Sequence, residues 1–234
     1  MKKFLLGAFF LIGSSFASAA GGEGCGSKVV MVDGKEQTVA LECSHAPIDH
    51  DDKASLQNGA RMFMSYCVGC HSAKYVRYSA VAEGLDIPPE LVETYLMFTT
   101  DKIGDYIDPQ IDKAAQAKWF GKAPPDLSLE TRLRGSDWVY TYLLSFYPDA
   151  SRPYGVNNYL LPNVAMPHVL NELQESTSRE EYRKDVGDLV NFMSWMGDPV
   201  MSIRHKIGWF VLLFLAIMFI PIYLLNREFW KDIK

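Results

Sequence analysis

Cysteine and histidine are scarce in this chain, which has four cysteines and five histidines among its 234 residues. We find no arrangement of these residues with serine or carboxylate partners that matches an acid–base or nucleophilic catalytic site. Basic residues are also in deficit, with 23 Lys and Arg side chains against 28 Asp and Glu. Because an acidic surface repels the phosphate backbone, nucleic acid is not an expected partner. The few cysteines are therefore the most informative residues about function.

Two of the four cysteines stand three positions apart, in Cys67-Val68-Gly69-Cys70-His71. Each thiol can add across one vinyl group of haem, and the spacing places the two sulfurs one helical turn apart. The adjacent imidazole then faces the iron as the proximal ligand. A thioredoxin-like redox pair needs a βαβ context and has no use for this histidine. The motif therefore predicts one covalently attached haem c.

The first twenty residues have the pattern of a secretory signal peptide. Two lysines precede an apolar stretch from Phe4 to Ile12, and Ala17-Ser18-Ala19 is a cleavage site of small residues. The apolar stretch is too short for a membrane span. We therefore expect residues 1–20 to be removed and the rest of the chain to be exported, which agrees with thioether attachment of haem.

Charged residues are absent from positions 207–225, a run long enough to cross the hydrocarbon core of a bilayer. A buried core helix rarely reaches this length without a charge. We therefore predict one transmembrane helix over 204–226 and a cytoplasmic tail at 227–234. Pro221 is expected to kink or loosen that helix. The signal peptide sets the orientation, with residues 51–203 in the periplasm of a bacterium and the helix in its inner membrane.

The excess of acidic over basic residues is larger in the part expected to be exported than in the whole chain. Setting aside the two lysines of the leader, and the five basic and two acidic residues from Arg204 onward, leaves 16 basic and 26 acidic side chains. A domain of this charge would steer a basic redox partner into place, with an association rate that falls as salt rises. An ordinary solvated surface could have the same balance.

An N-terminal extension at residues 21–50 contains two strand-like runs joined around Asp33-Gly34, which favours a β-hairpin. Cys25 and Cys43 bracket this hairpin. In an exported protein we expect them to form a disulfide. Two free thiols, or a lipid anchor on Cys25, are the alternatives.

Apolar residues at helical spacing, with proline and capping signals, predict a mainly α domain with long loops. Met62 and Met64 precede the haem motif on one helix, so core packing explains them better than iron ligation. Ser178 opens a capping box, and Ser136 or Asp137 could cap an earlier helix. The predicted helices cover 51–66, 88–97, 138–146 and 178–196.

Met166 is the best candidate for a second axial ligand. It lies in an irregular segment, and the following Pro167 fixes the local backbone. A methionine thioether raises the reduction potential of haem relative to a second histidine. His168 is the competing ligand, and simple core packing of Met166 is the third possibility.

With these motifs in sequence order, the chain resembles the cytochrome c1 family, the haem-bearing subunits of ubiquinol–cytochrome c reductases. The resemblance covers nearly the whole mature chain and includes the C-terminal membrane helix. The motifs that carry it are Asp52-Lys53-Ala54-Ser55-Leu56-Gln57-Asn58-Gly59, Cys67-Val68-Gly69-Cys70-His71-Ser72, Ala123-Pro124-Pro125-Asp126-Leu127-Ser128 and Ala165-Met166-Pro167.

The resemblance implies roles for individual residues. His71 and Met166 become the axial pair of the haem iron. Arg134, a better match than Arg132, would pair with a haem propionate, whereas the alternative is an ordinary surface arginine. Trp138 stands where the family usually has tyrosine. The hairpin closed by the first two cysteines departs from the family pattern.

The resemblance also implies a fold and a function. We expect a cytochrome c-type fold, mainly α, that passes single electrons from a Rieske iron–sulfur protein to a soluble cytochrome c. Cytochrome b, the lipid bilayer and a dimeric multi-subunit complex complete the expected partners. The chain would be a redox subunit and not a catalyst by itself. One alternative is a free-standing membrane-anchored cytochrome c that feeds a terminal oxidase, and another is a haem peroxidase or gas sensor with an open iron.

Overall fold

A computed structural model of the chain describes Cys25, residues 27–32 and residues 35–232. The predicted signal peptide and the Asp33-Gly34 turn lie outside the described residues. Within the described part, helices dominate, as the sequence predicted. They are α1 (Lys53–Tyr66), α2 (Tyr78–Gly84), α3 (Pro89–Tyr95), α4 (Lys113–Phe120), α5 (Glu130–Arg134), α6 (Ser136–Leu144), α7 (Asn171–Ser176), α8 (Arg179–Gly197) and α9 (Met201–Phe229).

The strands of the described residues form three antiparallel pairs. The long hairpin was predicted, whereas the two short pairs were not, and Phe146, the first residue of a short strand, was wrongly placed at the end of the predicted helix over 138–146. The strands are β1 (Ser27–Val32) with β2 (Lys35–Ala40), β3 (Ala73–Arg77) with β4 (Tyr106–Ile107), and β5 (Phe146–Pro148) with β6 (Val156–Asn158).

Helices α1 and α8 cross closely and form the centre of the core. A Cβ atom built on Gly59 would lie 2.0 Å from the carbonyl oxygen of Asp188 and 2.7 Å from the Cβ of Phe192. Only glycine therefore permits this approach. Beside the crossing, the rings of Phe63 and Phe192 pack with their centroids 5.6 Å apart. Met62 is fully buried here, as the packing argument predicted.

A buried carboxylate adds polar contacts to the same crossing. Asp188 accepts hydrogen bonds from Ser55 Oγ at 2.7 Å and from Asn58 Nδ2 at 2.8 Å, both on α1. Lys184 Nζ, one turn earlier on α8, lies 2.9 Å from the same carboxylate. Because a buried charge without partners would be costly, these contacts satisfy Asp188 and fix how the two helices align.

The structure confirms the predicted N-terminal cap of α8 but not that of α6. Ser178 Oγ accepts a hydrogen bond from the Glu181 amide at 3.2 Å, so the predicted cap of α8 is present. Neither proposed cap of α6 operates, since Gly135 occupies the N-cap position without a side-chain hydrogen bond. Asp137 instead accepts a hydrogen bond from the Ala46 amide at 2.8 Å and ties the N-terminal extension to α6.

The N-terminal hairpin pairs β1 with β2 in antiparallel register, with Val32 opposite Lys35. Below the hairpin, Cys25 and Cys43 are joined by a disulfide with their Cα atoms 5.2 Å apart. The two cysteines are 18 positions apart in the sequence, and the disulfide closes the loop between them. Thr141 Oγ1 accepts a hydrogen bond from the Ser44 amide at 2.8 Å, which holds the base of the extension against α6.

Helix α9 is long and apolar enough to cross a membrane, and it continues through Pro221. None of its side chains is buried against the rest of the protein. At its base, Asp198 pairs with Arg132 Nη1 at 2.9 Å and with Arg204 Nη2 at 2.6 Å. This buried carboxylate joins the globular domain to the start of the apolar helix.

Candidate haem-binding site

A cavity of about 270 Å³ opens between the end of α1, the loop before α5, helices α5 and α6, and the segment before α7. Its wall is largely apolar. The five side chains that the sequence analysis assigned to a haem all line it, although they span a hundred positions of the chain: Cys67, Cys70, His71, Arg134 and Met166.

The cysteine pair lies where helix α1 ends. Cys67 is the C-cap residue, and its amide donates a hydrogen bond to the Phe63 carbonyl oxygen at 2.9 Å. The amides of Cys70 and His71 both donate to the carbonyl oxygen of Cys67, at 3.1 and 2.9 Å. This tight turn places both sulfurs and the imidazole on the cavity. Burial is the main reason why the pKa of the Cys67 thiol is raised to about 12, and electrostatic repulsion by the neighbouring Cys70 adds to the shift.

The imidazole of His71 is held by a backbone carbonyl. Its Nδ1 lies 2.8 Å from the oxygen of Pro125. Because a carbonyl oxygen can only accept, Nδ1 carries the proton and Nε2 keeps a free lone pair. Burial lowers the pKa of His71, although the hydrogen bond to Pro125 and nearby carboxylates oppose this effect. A neutral imidazole with one fixed tautomer is suited to bind a metal ion.

The loop that holds His71 is itself fixed by Asp126. This carboxylate accepts hydrogen bonds from Ser72 Oγ at 2.7 Å and from the amides of Lys74 at 2.9 Å and Ser128 at 3.0 Å. Burial alone would raise the pKa of Asp126, but the hydrogen bonds from Ser128, Lys74 and Ser72 outweigh it and lower the pKa. The Pro-Pro-Asp-Leu-Ser motif therefore positions the carbonyl oxygen that orients the imidazole.

Of the two proposed second ligands, only Met166 reaches the cavity wall. His168 is held elsewhere, since its Nε2 lies 2.7 Å from Gln174 Oε1 and its ring stacks on Phe146 with centroids 4.8 Å apart. The cavity is lined by the residues on both sides of His168 but not by His168 itself. This arrangement favours a sulfur ligand over a second imidazole.

Arg134 lies at the end of α5 and faces the cavity. Its guanidinium pairs with Glu130 one turn earlier and covers the ring of Trp138, 4.4 Å from the ring centroid. Glu130 and Trp138 also line the cavity. The arginine is therefore a cation held at the wall, where it could meet an anionic group of a bound molecule.

Sequence reasoning missed Tyr142, which also lines the cavity. Its hydroxyl donates a hydrogen bond to Met166 Sδ at 3.5 Å. The sequence holds a partial signal, because aromatic residues recur at positions 138, 142 and 146, and the first two lie on one face of α6. Their rings indeed contact one another in that order.

These residues fit a covalently attached haem c. The cavity offers two thiols at its edge, a neutral imidazole with its Nε2 lone pair free, a thioether sulfur and one cation near the wall. Soft sulfur and imidazole are the donors that haem iron takes as axial ligands. The surrounding wall is apolar, as a macrocycle with a large apolar surface requires.

Comparison with known proteins decides the family. The Cytochrome C1 family matches residues 43–233. The chain belongs to the cytochrome c1 family. Members of this family carry one covalently bound haem c, and they are haem subunits of respiratory electron transfer. The predicted family, fold and cofactor are thereby confirmed.

Individual relatives support the same conclusion. The cytochrome c1 of Allochromatium vinosum is 41% identical over 260 aligned positions and covers 100% of both chains. A mitochondrial cytochrome c1 of Arabidopsis thaliana is 28% identical over 98% of this chain and 83% of its own length. A protein of Nitrosomonas europaea called ammonia monooxygenase gamma subunit is 40% identical over 82% of this chain and 89% of its own length.

Proposed function

We propose that this cytochrome c1 family member passes single electrons from a Rieske iron–sulfur protein to a soluble cytochrome c within a ubiquinol–cytochrome c reductase. The observation that carries the proposal is the convergence of two cysteines, His71 and Met166 on one apolar cavity. With a nitrogen and a sulfur ligand provided by the chain, the iron would have both axial positions filled. An iron of this kind suits electron transfer, in contrast to oxygen or peroxide chemistry, which needs an open position.

The bound haem c supplies the reversible one-electron change, and the chain supplies attachment, orientation and electrostatics. Cys67 and Cys70 would attach the ring through thioether bonds. His71, with Nδ1 on the Pro125 carbonyl, would bind the iron through Nε2. Met166 would bind it through its sulfur.

Arg134 is proposed to neutralise a haem propionate. Its guanidinium lies at the cavity wall beside Trp138, and Glu130 already holds one of its N–H groups. A guanidinium has further N–H donors in a fixed fork, so it can bind a carboxylate without releasing Glu130.

Features near the two ends of the chain support a proposal about its location. We propose that residues 1–20 are a signal peptide, that residues 51–203 form a periplasmic domain, and that α9 crosses the inner membrane of a bacterium once. The exposed apolar surface of α9 supports this proposal, because such a surface is costly in water and favourable in lipid. The disulfide of Cys25 and Cys43 suits the oxidising periplasm.

Cytochrome b and the Rieske protein are the proposed partners within a dimeric complex, and a soluble cytochrome c is the proposed acceptor. The relatives named cytochrome c1 support this assembly. A free-standing anchored cytochrome c that feeds an oxidase would use the same haem, leader and anchor. The Nitrosomonas europaea relative has the name of a different complex, so the assembly has to be identified directly.

Isolation of the intact assembly tests the proposal. We would attach an affinity tag to the C-terminus, solubilise membranes in mild detergent and identify the recovered subunits by mass spectrometry, with untagged membranes as the control. Recovery of cytochrome b and a Rieske protein in equal amounts with this chain is the expected result. Recovery of the chain alone, or with oxidase or monooxygenase subunits, would contradict it.

A further inference from the structure

One side chain contacts the proposed sulfur ligand directly. The Tyr142 hydroxyl lies 3.5 Å from Met166 Sδ. Because a thioether sulfur can only accept a hydrogen bond, the phenol is the donor. A thioether sulfur has two lone pairs, so a hydrogen bond on one leaves the other free for a metal ion.

The ring of Tyr142 is fixed on two sides. Trp138 stacks on it with centroids 5.3 Å apart and an interplanar angle of 7°. Phe146 contacts it edge-on at 5.3 Å and 69°. The backbone is also held, since Asn158 Nδ2 donates a hydrogen bond to the Tyr142 carbonyl oxygen at 2.8 Å. These contacts restrict the ring to one orientation, in which its hydroxyl meets the sulfur.

The neighbouring aromatic contacts extend this support across the cavity wall. The Arg134 guanidinium lies over the ring of Trp138, and the His168 ring stacks on Phe146 with an interplanar angle of 1°. A phenylalanine would fill the same space, whereas the buried hydroxyl of a tyrosine needs a hydrogen-bond acceptor. Here the acceptor is the sulfur atom proposed to bind iron.

We propose that Tyr142 is a positioning residue that raises the reduction potential of the haem by donating a hydrogen bond to the Met166 sulfur. This inference rests on the proposed ligation by Met166. A hydrogen bond withdraws electron density from sulfur and makes it a weaker donor. Because oxidised iron depends more on electron donation than reduced iron does, the hydrogen bond favours the reduced state.

The Tyr142→Phe variant removes one oxygen atom and keeps the ring that packs between Trp138 and Phe146. The matched control is Tyr140→Phe on the same helix, because the Tyr140 hydroxyl donates to the Arg183 carbonyl oxygen and does not line the cavity. Both full-length, haem-loaded variants would be measured in detergent by spectroscopic redox titration. The weak sulfur-to-iron band of the oxidised protein would be recorded in the same samples.

We expect Tyr142→Phe to retain the sulfur-to-iron band at a shifted wavelength. The equilibrium constant for reduction should fall by up to about tenfold, which corresponds to 59 mV for one electron. Tyr140→Phe should change neither quantity. An unchanged potential and band in Tyr142→Phe would overturn the inference, and so would an equal shift in both variants. Complete loss of the band would also overturn it, because Tyr142 would then be needed to keep the ligand bound.

The Met166→Leu variant separates this inference from the proposed ligation. If Met166→Leu keeps the band, sulfur ligation by Met166 is wrong, and the inference about Tyr142 fails with it. If Met166→Leu loses the band while Tyr142→Phe leaves the potential unchanged, the ligation is correct and only the role of Tyr142 is wrong.

Discussion

At the scale of single residues, the site depends on hydrogen bonds that leave one lone pair free on each proposed ligand atom. Pro125 occupies Nδ1 of His71, and Tyr142 occupies one lone pair of the Met166 sulfur. Asp126 fixes the loop behind the histidine through three hydrogen bonds. The hydrogen-bond partners of each side chain therefore determine which of its lone pairs is free to bind iron.

The axial ligand can be tested by a pair of substitutions. We expect Met166→Leu to abolish the weak sulfur-to-iron band of the oxidised protein and to open the iron to rapid carbon monoxide binding. His168→Leu should leave the band intact, because His168 pairs with Gln174 and does not line the cavity. Loss of the band in His168→Leu, with retention in Met166→Leu, would reverse the assignment.

A buried histidine outside the site makes stability depend on pH. His50 is nearly buried, with Nε2 3.1 Å from Ser194 Oγ, and its Nδ1 has no hydrogen-bond partner among the described residues. Burial lowers the pKa of His50, although Asp198, Asp49 and Asp51 oppose this effect. The unfolded chain then binds a proton more readily than the folded one, so stability falls as pH drops below about 6.5.

We therefore expect the melting temperature of the solubilised protein to fall between pH 7.5 and pH 5.5, measured by circular dichroism. The fall should be smaller in His50→Asn, which cannot take up this proton. His45→Asn is the control, because the His45 side chain is 90% exposed. An equal fall in all three proteins would show that His50 does not cause the pH dependence.

At the scale of elements, the crossing of α1 and α8 supports the cavity. Helix α1 ends at the cysteine pair, and Leu189 and Met193 of α8 line the cavity. The distance between these helices therefore affects the shape of the site. That distance is set by Gly59, whose Cα lies against the backbone of Asp188.

Gly59→Ala should destabilise the protein by about 1–3 kcal/mol, the usual range for overpacking a close contact. The added Cβ would meet backbone atoms that cannot move aside like a flexible side chain. Chemical denaturation of the detergent-solubilised protein measures the free energy of unfolding. Gly104→Ala is the control, since nothing lies within 4 Å of its added Cβ. Equal stability of the two variants would contradict the close crossing.

The main helices could be predicted because their apolar spacing and caps are local signals. Ser178 caps α8 as the sequence indicated, and α1 begins within two residues of its predicted start. The cap of α6 was wrong because Asp137 bonds to Ala46, ninety-one positions away, and such a contact is set by tertiary packing. For the same reason the short strands and the hydrogen bond of Tyr142 to Met166 could not be derived from spacing alone.

At the scale of the whole molecule, an acidic globular domain is joined to one apolar helix through a charged contact. Asp198 binds Arg132 of α5 and Arg204 of α9, so the domain and the helix are connected by more than the chain between them. The haem cavity belongs to the same domain as Arg132. The proposed membrane anchor can therefore keep the cavity at a fixed height above the lipid.

The acidic charge of the globular domain leads to a prediction about its proposed electron acceptor. We expect the second-order rate of electron transfer to a basic soluble cytochrome c to fall by about tenfold as salt is raised from low to high concentration. An uncharged small oxidant is the control, and its rate should stay nearly constant. A rate to the cytochrome that does not depend on salt would contradict electrostatic steering, although it would leave the haem assignment intact.

The haem of this chain is proposed to carry electrons from quinol oxidation to a soluble cytochrome c. Stopped-flow absorbance of the isolated assembly tests this proposal, with quinol added first and oxidised soluble cytochrome c second. We expect the haem c of this chain to become reduced after quinol is added and to be reoxidised as the soluble cytochrome becomes reduced. Continued reduction of the soluble cytochrome while this haem stays oxidised, or in a variant that cannot attach haem, would contradict it.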